Sequence, residues 1–315
     1  MSPALLIEHL VKDFRHPMTL RPLRVVDDLS LEIRTGETFG FLGPNGAGKT
    51  TTIKLVNGLL RPTSGRIAIF GREARDVAVR ARVGFLPEQP WFYDYLRADE
   101  FLDFYAQLFD IPRAERRLRV KRLLDRVGLG DRARDPLRKF SKGMTQRLGV
   151  AQALINDPEL VILDEPMSGL DPIGRRDVRD IILDLKREGR TVFFSSHLLP
   201  DVEMICDRVG ILVAGRLRDQ ADLHERLAAR ETESEVRVAG ISAAVYRQAS
   251  ALAKRTVGSG SEFLFEVPAD GTVEKLIDLV RGEGGRIVSI TPRRESLEAL
   301  FLREVRGAPP GEESA

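Results

Sequence analysis

The sequence has one cysteine, Cys206, in 315 residues. No disulfide can form within the chain, which points to a reducing compartment and, for the lone thiol, a buried and inert place. No apolar run comes near the roughly 18 residues that a membrane-spanning helix needs. LVIL (160–163) and TVFF (191–194) have the length of strands. The opening MSPALLIEHL carries no basic segment, long apolar stretch or small-residue cleavage site, so it does not read as a secretory signal. An excess of one charge is also missing. The 49 Lys and Arg face 47 Asp and Glu, a balance that gives no global attraction to nucleic acid or anionic lipid. These absences predict a soluble, cytoplasmic chain.

What is present is apolar material enough for one large domain or two unequal ones. Short apolar runs alternate with longer amphipathic stretches, the pattern of a sheet covered by helices. Strands are expected at 5–11, 29–33, 37–42, 66–70, 83–86, 159–164, 190–196 and 209–213. The i, i+3, i+4, i+7 spacing predicts helices at Phe101, Phe104, Tyr105 and Leu108, at Val120, Leu123, Leu124 and Val127, and at Val178, Ile181, Ile182 and Leu185. Met144, Leu148, Ala151 and Ile155 fit one face of a helix opening after Ser141. Residues 88–140 read as nearly all helix, a helical subdomain inserted into an α/β core and continued by the next helix to about 157. Residues 4–220 would form this first domain.

From 221 to 306 the order becomes β-α-β-β-α-β plus a last helix, compatible with a small, ferredoxin-like α+β domain. Its strands are expected at 235–239, in a pair turning at GSGS (258–261), and at 286–291; its helices at 242–254, 272–283 and 295–304. The tail GAPPGEESA (307–315) reads as disordered.

The segment Gly43, Pro44, Asn45, Gly46, Ala47, Gly48, Lys49, Thr50 matches G-x-x-x-x-G-K-[ST] between the apolar strand TFGFL and an amphipathic run that begins with Thr51. Glycines let a backbone close around phosphates and aim its N–H groups at them, and a helix N-terminus adds partial positive charge. Lys49 can reach the β- and γ-phosphates, and the Thr50 hydroxyl can ligate Mg²⁺. Farther on, four apolar residues lead into Asp164 and Glu165. A buried strand delivering two carboxylates suits Mg-nucleotide chemistry, with Asp164 holding Mg²⁺ through water and Glu165 polarising the attacking water.

Together with Ser168-Gly169-Leu170-Asp171, His197 and Phe140-Ser141-Lys142-Gly143-Met144, these segments resemble the Walker A, Walker B, D-loop, H-loop and signature motifs of ATP-binding-cassette (ABC) ATPases. The resemblance covers residues 4–220. It implies ATP and Mg²⁺ as ligands and a head-to-tail dimer, in which Ser141 and Gly143 of one copy contact the γ-phosphate held by the other. It also implies that His197 reaches the γ-phosphate and the water, and that Asp171 connects the two sites. Phe14 falls where the family stacks an aromatic on adenine, with a place in the core as the other reading.

Two positions depart from the family pattern. The signature reads FSKGM where LSGGQ is common, and the glutamine of the Q-loop aligns with Glu88, with Gln89 next to it. Either could sense the γ-phosphate, and Glu88 could ligate Mg²⁺.

The partners implied are a second ATPase copy or a paired ATPase subunit, and a separate integral membrane permease that would place the chain on the inner face of the membrane. Nucleic acid is not among them. Trp91, Phe92, Tyr93 and Tyr95 crowd the region that meets the permease in this family, or else pack inside the helical subdomain. From Arg113 to Lys139, 11 basic residues face 4 acidic ones, which reads as a solvated helix face or one turned to lipid headgroups. Wording such as FGFLGPNGAGKTTTIK and the appended domain resemble the subfamily paired with multidrug, antibiotic or sodium exporters, where appended domains often regulate or brace the dimer. A non-transport relative acting on DNA or ribosomes is the alternative. Neither a long coiled coil between cradle and carboxylates nor a second cassette is present to support it.

Overall fold

The computed structural model describes residues 3–15, 21–223, 231–259, 262–268, 271–294 and 297–307. The tail expected to be disordered beyond 307, and 260–261 of the GSGS turn, lie outside them. The chain divides into two compact units, Met1–Leu223 with Phe301–Ala315, and His224–Leu300.

In chain order the first unit carries β1 (Leu5–Arg15), β2 (Pro22–Ile33), β3 (Thr38–Leu42), α1 (Lys49–Val56), β4 (Ser64–Ile69), β5 (Arg72–Glu73), α2 (Val77–Arg80) and β6 (Val83–Leu86). Then come α3 (Ala98–Leu108), α4 (Arg113–Arg126), α5 (Lys142–Ala153), β7 (Leu160–Leu163), α6 (Pro172–Arg187), β8 (Thr191–Ser196), α7 (Leu199–Ile205), β9 (Arg208–Val213) and β10 (Arg216–Asp222).

Six of these strands form one sheet in the order β10-β9-β3-β8-β7-β6, parallel except for the pair β9 and β10. Every residue of β3, β7 and β8 is buried, which is why they read as unbroken apolar runs rather than as alternation. Cys206 is buried against this sheet: a methyl on Gly40 of β3 would stand 2.8 Å from its Sγ. Burial pushes its thiol pKa well up.

A second sheet, β2-β1-β4-β5, is antiparallel. One core joins Leu5, Ile7 and Leu10 of β1 to Phe39, Phe41 and Phe193 of the main sheet through Ile53, Leu55 and Val56 of α1. The helix that opens at Lys49 is thus clamped by both sheets.

Sequence periodicity understated the strands whose residues are polar. β1 and β2 continue to Arg15 and back from Pro22 as a ribbon, with Asp13 opposite Arg24 and an ion pair of 2.9 Å between them. β10, RLRDQAD, is a polar edge strand.

The stretch 88–140 is also less helical than expected. Residues 88–97 form a loop, and only short 3-10 turns follow α4. The carbonyls of Asp94 and Leu96 accept hydrogen bonds from the N–H groups of Arg138 and Leu137 instead of continuing a helix.

The second unit has β11 (Glu231–Ala239), α8 (Ala243–Leu252), β12 (Arg255–Ser259), β13 (Glu262–Pro268), α9 (Thr272–Gly282) and β14 (Arg286–Arg294). Its sheet runs β12-β13-β11-β14, antiparallel throughout, which is the strand order of a ferredoxin-like split βαβ. Val236, Val238, Phe265 and Val267 of the sheet pack on Val245, Leu276 and Val280 of α8 and α9. The last helix among the described residues is α10 (Leu297–Arg306).

Candidate nucleotide site

Four side-chain sources converge because four parallel strands end side by side. The loop 43–48 follows β3, Glu88 lies two residues beyond β6, Asp164 and Glu165 follow β7, and His197 follows β8, which lies between β3 and β7. Ligands of open α/β sheets bind at this carboxyl edge.

The loop itself depends on glycine at two points. Gly48 has φ +104°, and a methyl on it would lie 2.7 Å from the Val25 carbonyl oxygen. At Gly43 the same addition would meet the Leu212 carbonyl oxygen at 2.4 Å. The turn that results delivers α1 with its first N–H groups free of helical partners, since the first bond of that helix runs from Thr52 N–H to the Gly48 carbonyl.

These residues surround a cavity of about 510 Å³, lined by Val25, Pro44, Asn45, Gly46, Ala47, Gly48, Lys49, Thr50, Thr51, Glu88, Glu165, Ser168 and His197. Lys49 is 6% exposed. Its Nζ donates to the Gly43 and Pro44 carbonyls at 2.7 and 3.3 Å and lies 3.3 Å from Glu165 Oε1. A buried ammonium that already curls back onto its own loop is placed to exchange those contacts for phosphate oxygens.

Opposite it, Glu165 holds an unusual backbone, φ +48°, a left-handed conformation that costs a non-glycine residue about 1 kcal/mol. Its N–H donates to Ser195 Oγ at 2.9 Å, and Ser195 in turn donates to Asp164 Oδ1 at 2.7 Å. Its Oε2 lies 2.8 Å from His197 Nδ1.

Asp164 is buried, and burial pushes its pKa above the ordinary carboxylate value, against the hydrogen bonds from Ser195 and Thr50. Thr50 Oγ1 lies 3.2 Å from Asp164 Oδ1. Among the described residues no group of three or more His, Cys, Asp or Glu forms a metal cage. Two neighbouring hard oxygens fit Mg²⁺, which is usually held by one or two protein ligands plus phosphates and water.

Other residues singled out from sequence stand elsewhere. Phe14 is 36% exposed on the β1–β2 ribbon, opposite Leu23 and beneath the Lys12 ammonium at 4.9 Å. It belongs neither to the core nor to the lining residues, because the register carries it out past the Lys12–Val26 pair while Val25 lines the cavity. Gln89 is exposed and not in the lining, whereas Glu88 is.

Ser141, Gly143 and Asp171 do not line the cavity of their own chain. Ser141 caps α5, accepting from Met144 N–H at 3.3 Å, and Asp171 caps α6, accepting from Gly174 N–H at 2.8 Å ahead of Pro172. Nothing lies within 4 Å of a methyl built on Gly143. Sequence reading missed Ser195 and Val25, and named Ser168 only within its four-residue segment, not as a residue of the cavity wall. The run Ser195-Ser196-His197 at the end of an apolar strand was the available signal for the first.

Residues 26–168 match the ABC transporter family. An ABC transporter ATP-binding protein of Synechocystis is 45% identical over 280 residues, 88% of this chain and 77% of that one. The bacitracin transport ATP-binding protein BcrA of Bacillus licheniformis is 35% identical over 294 residues, covering 90% and 92% of the two chains. A dimeric, post-hydrolysis structure of the ATP-binding cassette MJ0796, bound to ADP and Pi, superposes with a TM-score of 0.64 at 23% identity, over 70% of this chain and 98% of that one. That last likeness is one of fold. The chain is a member of the ABC transporter family, an ATP-binding subunit with ATPase activity.

Proposed function

We propose that this subunit powers export through a separate membrane permease, as a dimer that closes around two ATP molecules and reopens after hydrolysis. The observation that carries the reading is a split constellation. The loop around Lys49, Glu165 and His197 share one cavity, and Asp164 lies buried behind Thr50 of its wall, while Ser141 and Gly143, the remaining phosphate-contacting motif of the family, lie outside it with open space around Gly143. A second copy would bring its own Ser141 and Gly143 over the nucleotide, and Asp171 would connect the two sites. The dimeric state of MJ0796 supports this arrangement.

Thr50 and Asp164 would hold Mg²⁺, with Glu88 on the same wall. When bound, that ion neutralises charge developing on the β- and γ-phosphate oxygens. Lys49 binds the phosphates, Glu165 takes up a proton from the attacking water, and His197 fixes the Glu165 carboxylate through Nδ1. No helix among the described residues is long and apolar enough to cross a membrane, so the transport path would belong to another polypeptide and this chain would lie against its inner face.

The docking surface is the loop 88–97. Phe92 turns inward onto Phe101 with ring centroids 4.5 Å apart, while Trp91 is 88% exposed and Tyr93 and Tyr95 meet in a tilted pair with centroids 5.9 Å apart, also exposed. Such an outward aromatic cluster suits an interface anchor. The name of BcrA supports transport of an antibiotic-like cargo, and the appended ferredoxin-like unit would regulate or brace the dimer. Coexpression with a candidate permease, a polypeptide with several membrane-spanning segments, tests the reading. A Trp91→Ala/Tyr95→Ala variant should bind ATP normally yet fail to copurify with the permease, and normal copurification would refute the docking surface.

A further inference from the structure

Arg113, Arg117 and Lys121 of α4 are exposed and follow one another at i, i+4 and i+8. They form a rail of cations along one side of the helix, about 6 Å apart along its axis. Among the described residues no carboxylate lies within ion-pair distance of any of the three. Other arginines of the same helix are paired, Arg116 with Asp103 of α3 at 2.8 Å and Arg119 with Glu115 at 2.5 Å.

The rail lines a cavity of about 590 Å³ between α3 and α4, bounded on a third side by Gly130 and Ala133. That volume is in the range of small-molecule sites. The walls are tied together. The Asp99 N–H donates to the Ala133 carbonyl at 2.9 Å, Arg97 and Pro136 form a β-bridge, and Arg116 also donates to the Ile111 carbonyl at 3.0 Å. Carboxylates on the α3 wall are already claimed, Asp99 and Glu100 by Arg97 at 3.1 and 3.4 Å, Asp103 by Arg116. Asp125 is the remaining acid of the lining, against three uncompensated cations, and Val120 and Leu124 supply an apolar floor.

Fold stability does not account for the rail. Like charges at i, i+4 repel on a helix, and Arg113 stands at the positive end of α4. The permease surface does not account for it either. Asp99 and Asp103 lie on the face of α3 opposite Phe101, Phe104 and Tyr105, so the cavity opens away from the aromatic side. Cations on three successive turns reach farther than one phosphate can span, and a concave site with acids on its far wall suits a soluble ligand better than a flat anionic membrane.

We propose that this cavity binds a soluble, phosphorylated small molecule carrying two phosphate groups. Arg113, Arg117 and Lys121 hold the phosphates through charge-assisted hydrogen bonds, and the carbon frame between them rests on Val120 and Leu124. The site is separate from the ATP cavity and does not depend on the closed dimer.

The test is calorimetry on the full chain saturated with ADP, so that the nucleotide cavity is filled, with fructose 1,6-bisphosphate as the probe. One equivalent should bind, at least tenfold tighter than fructose 6-phosphate, and binding should weaken as salt rises. Arg113→Gln/Arg117→Gln/Lys121→Gln should weaken it tenfold or more while leaving ADP binding unchanged, which also reports folding. Arg122→Gln/Arg138→Gln removes two exposed cations outside the lining and should leave the probe's affinity within about twofold. Equal losses in the two sets would reduce the effect to diffuse charge and overturn the site, as would no binding at 10 mM probe, about the weakest affinity such a site could have. Sedimentation with phosphatidylglycerol vesicles separates the other source of phosphate. Vesicle binding that the triple variant abolishes, without any binding of the bisphosphate, would assign the rail to lipid and overturn the proposal.

Discussion

His197 Nδ1 lies 2.8 Å from Glu165 Oε2. A carboxylate only accepts, so Nδ1 carries the proton of that bond and the carboxylate is held by histidine on one oxygen and by Lys49, 3.3 Å away, on the other. A nucleotide that draws Lys49 onto its phosphates leaves His197 to orient Glu165 alone. In this account Glu165 is the proton acceptor and His197 is its positioning residue.

Replacing Glu165 with Gln should keep ATP binding and lower turnover by about 10²–10⁴, equivalent to roughly 3–5 kcal/mol in the barrier. Phosphate release under single-turnover conditions measures this. A normal rate would remove Glu165 from the role of base.

His197→Ala should slow turnover on the order of 10²-fold. Combined with Glu165→Gln it should cost little more, because the two side chains act as a unit. Losses that multiply in the double variant would mean that His197 acts on the phosphate or water independently.

Ser195→Ala removes a buried hydroxyl that serves two neighbours, the Glu165 N–H and Asp164 Oδ1. Leaving the Glu165 N–H unsatisfied, and Asp164 Oδ1 with the Thr50 hydroxyl alone, should cost about 1–3 kcal/mol of stability, read from urea midpoints, and should slow hydrolysis by loosening the strained Glu165 backbone. A midpoint within error of the wild type would show that water replaces the hydroxyl without cost.

Ser195 marks where sequence reading reached its limit. The loop 43–50 and the carboxylate pair were legible because their residue types, spacing and strand contexts each demand the same phosphate chemistry. Continuous burial made β3, β7 and β8 readable for the same kind of reason. A serine inside such a strand carries no local signal; its importance arises only when parallel pairing sets β8 beside β7. The ribbon of β1 and β2 was hidden by its polar alternation, and the loop 88–97 by the pairing of its Asp94 and Leu96 carbonyls with a segment about forty residues later. The separation of Phe14 from the cavity follows from strand register, which a single sequence does not print.

The base of β7 offers a pH test. Arg82 holds Glu159 through bonds of 2.5 and 2.7 Å, and this hydrogen bonding, more than charge alone, keeps the Glu159 carboxyl below its ordinary pKa. A depressed folded-state pKa contributes stability that is present above the unfolded carboxylate value and lost as pH falls through the folded one. Arg82→Met should therefore lower Tm at pH 7, with the difference from wild type shrinking through the carboxylate range. A constant difference down to strong acid would assign the effect to packing, including the Arg82 contact over Phe70.

The central claim is that the amides and ammonium around Lys49 hold a triphosphate which a second copy then covers. Titrating the wild-type chain with Mg-ATP, by calorimetry and light scattering on the same sample, tests it most directly. The account predicts saturable binding with a doubling of mass, both abolished by Lys49→Ala. Absence of binding heat together with an unchanged monomer mass would contradict it.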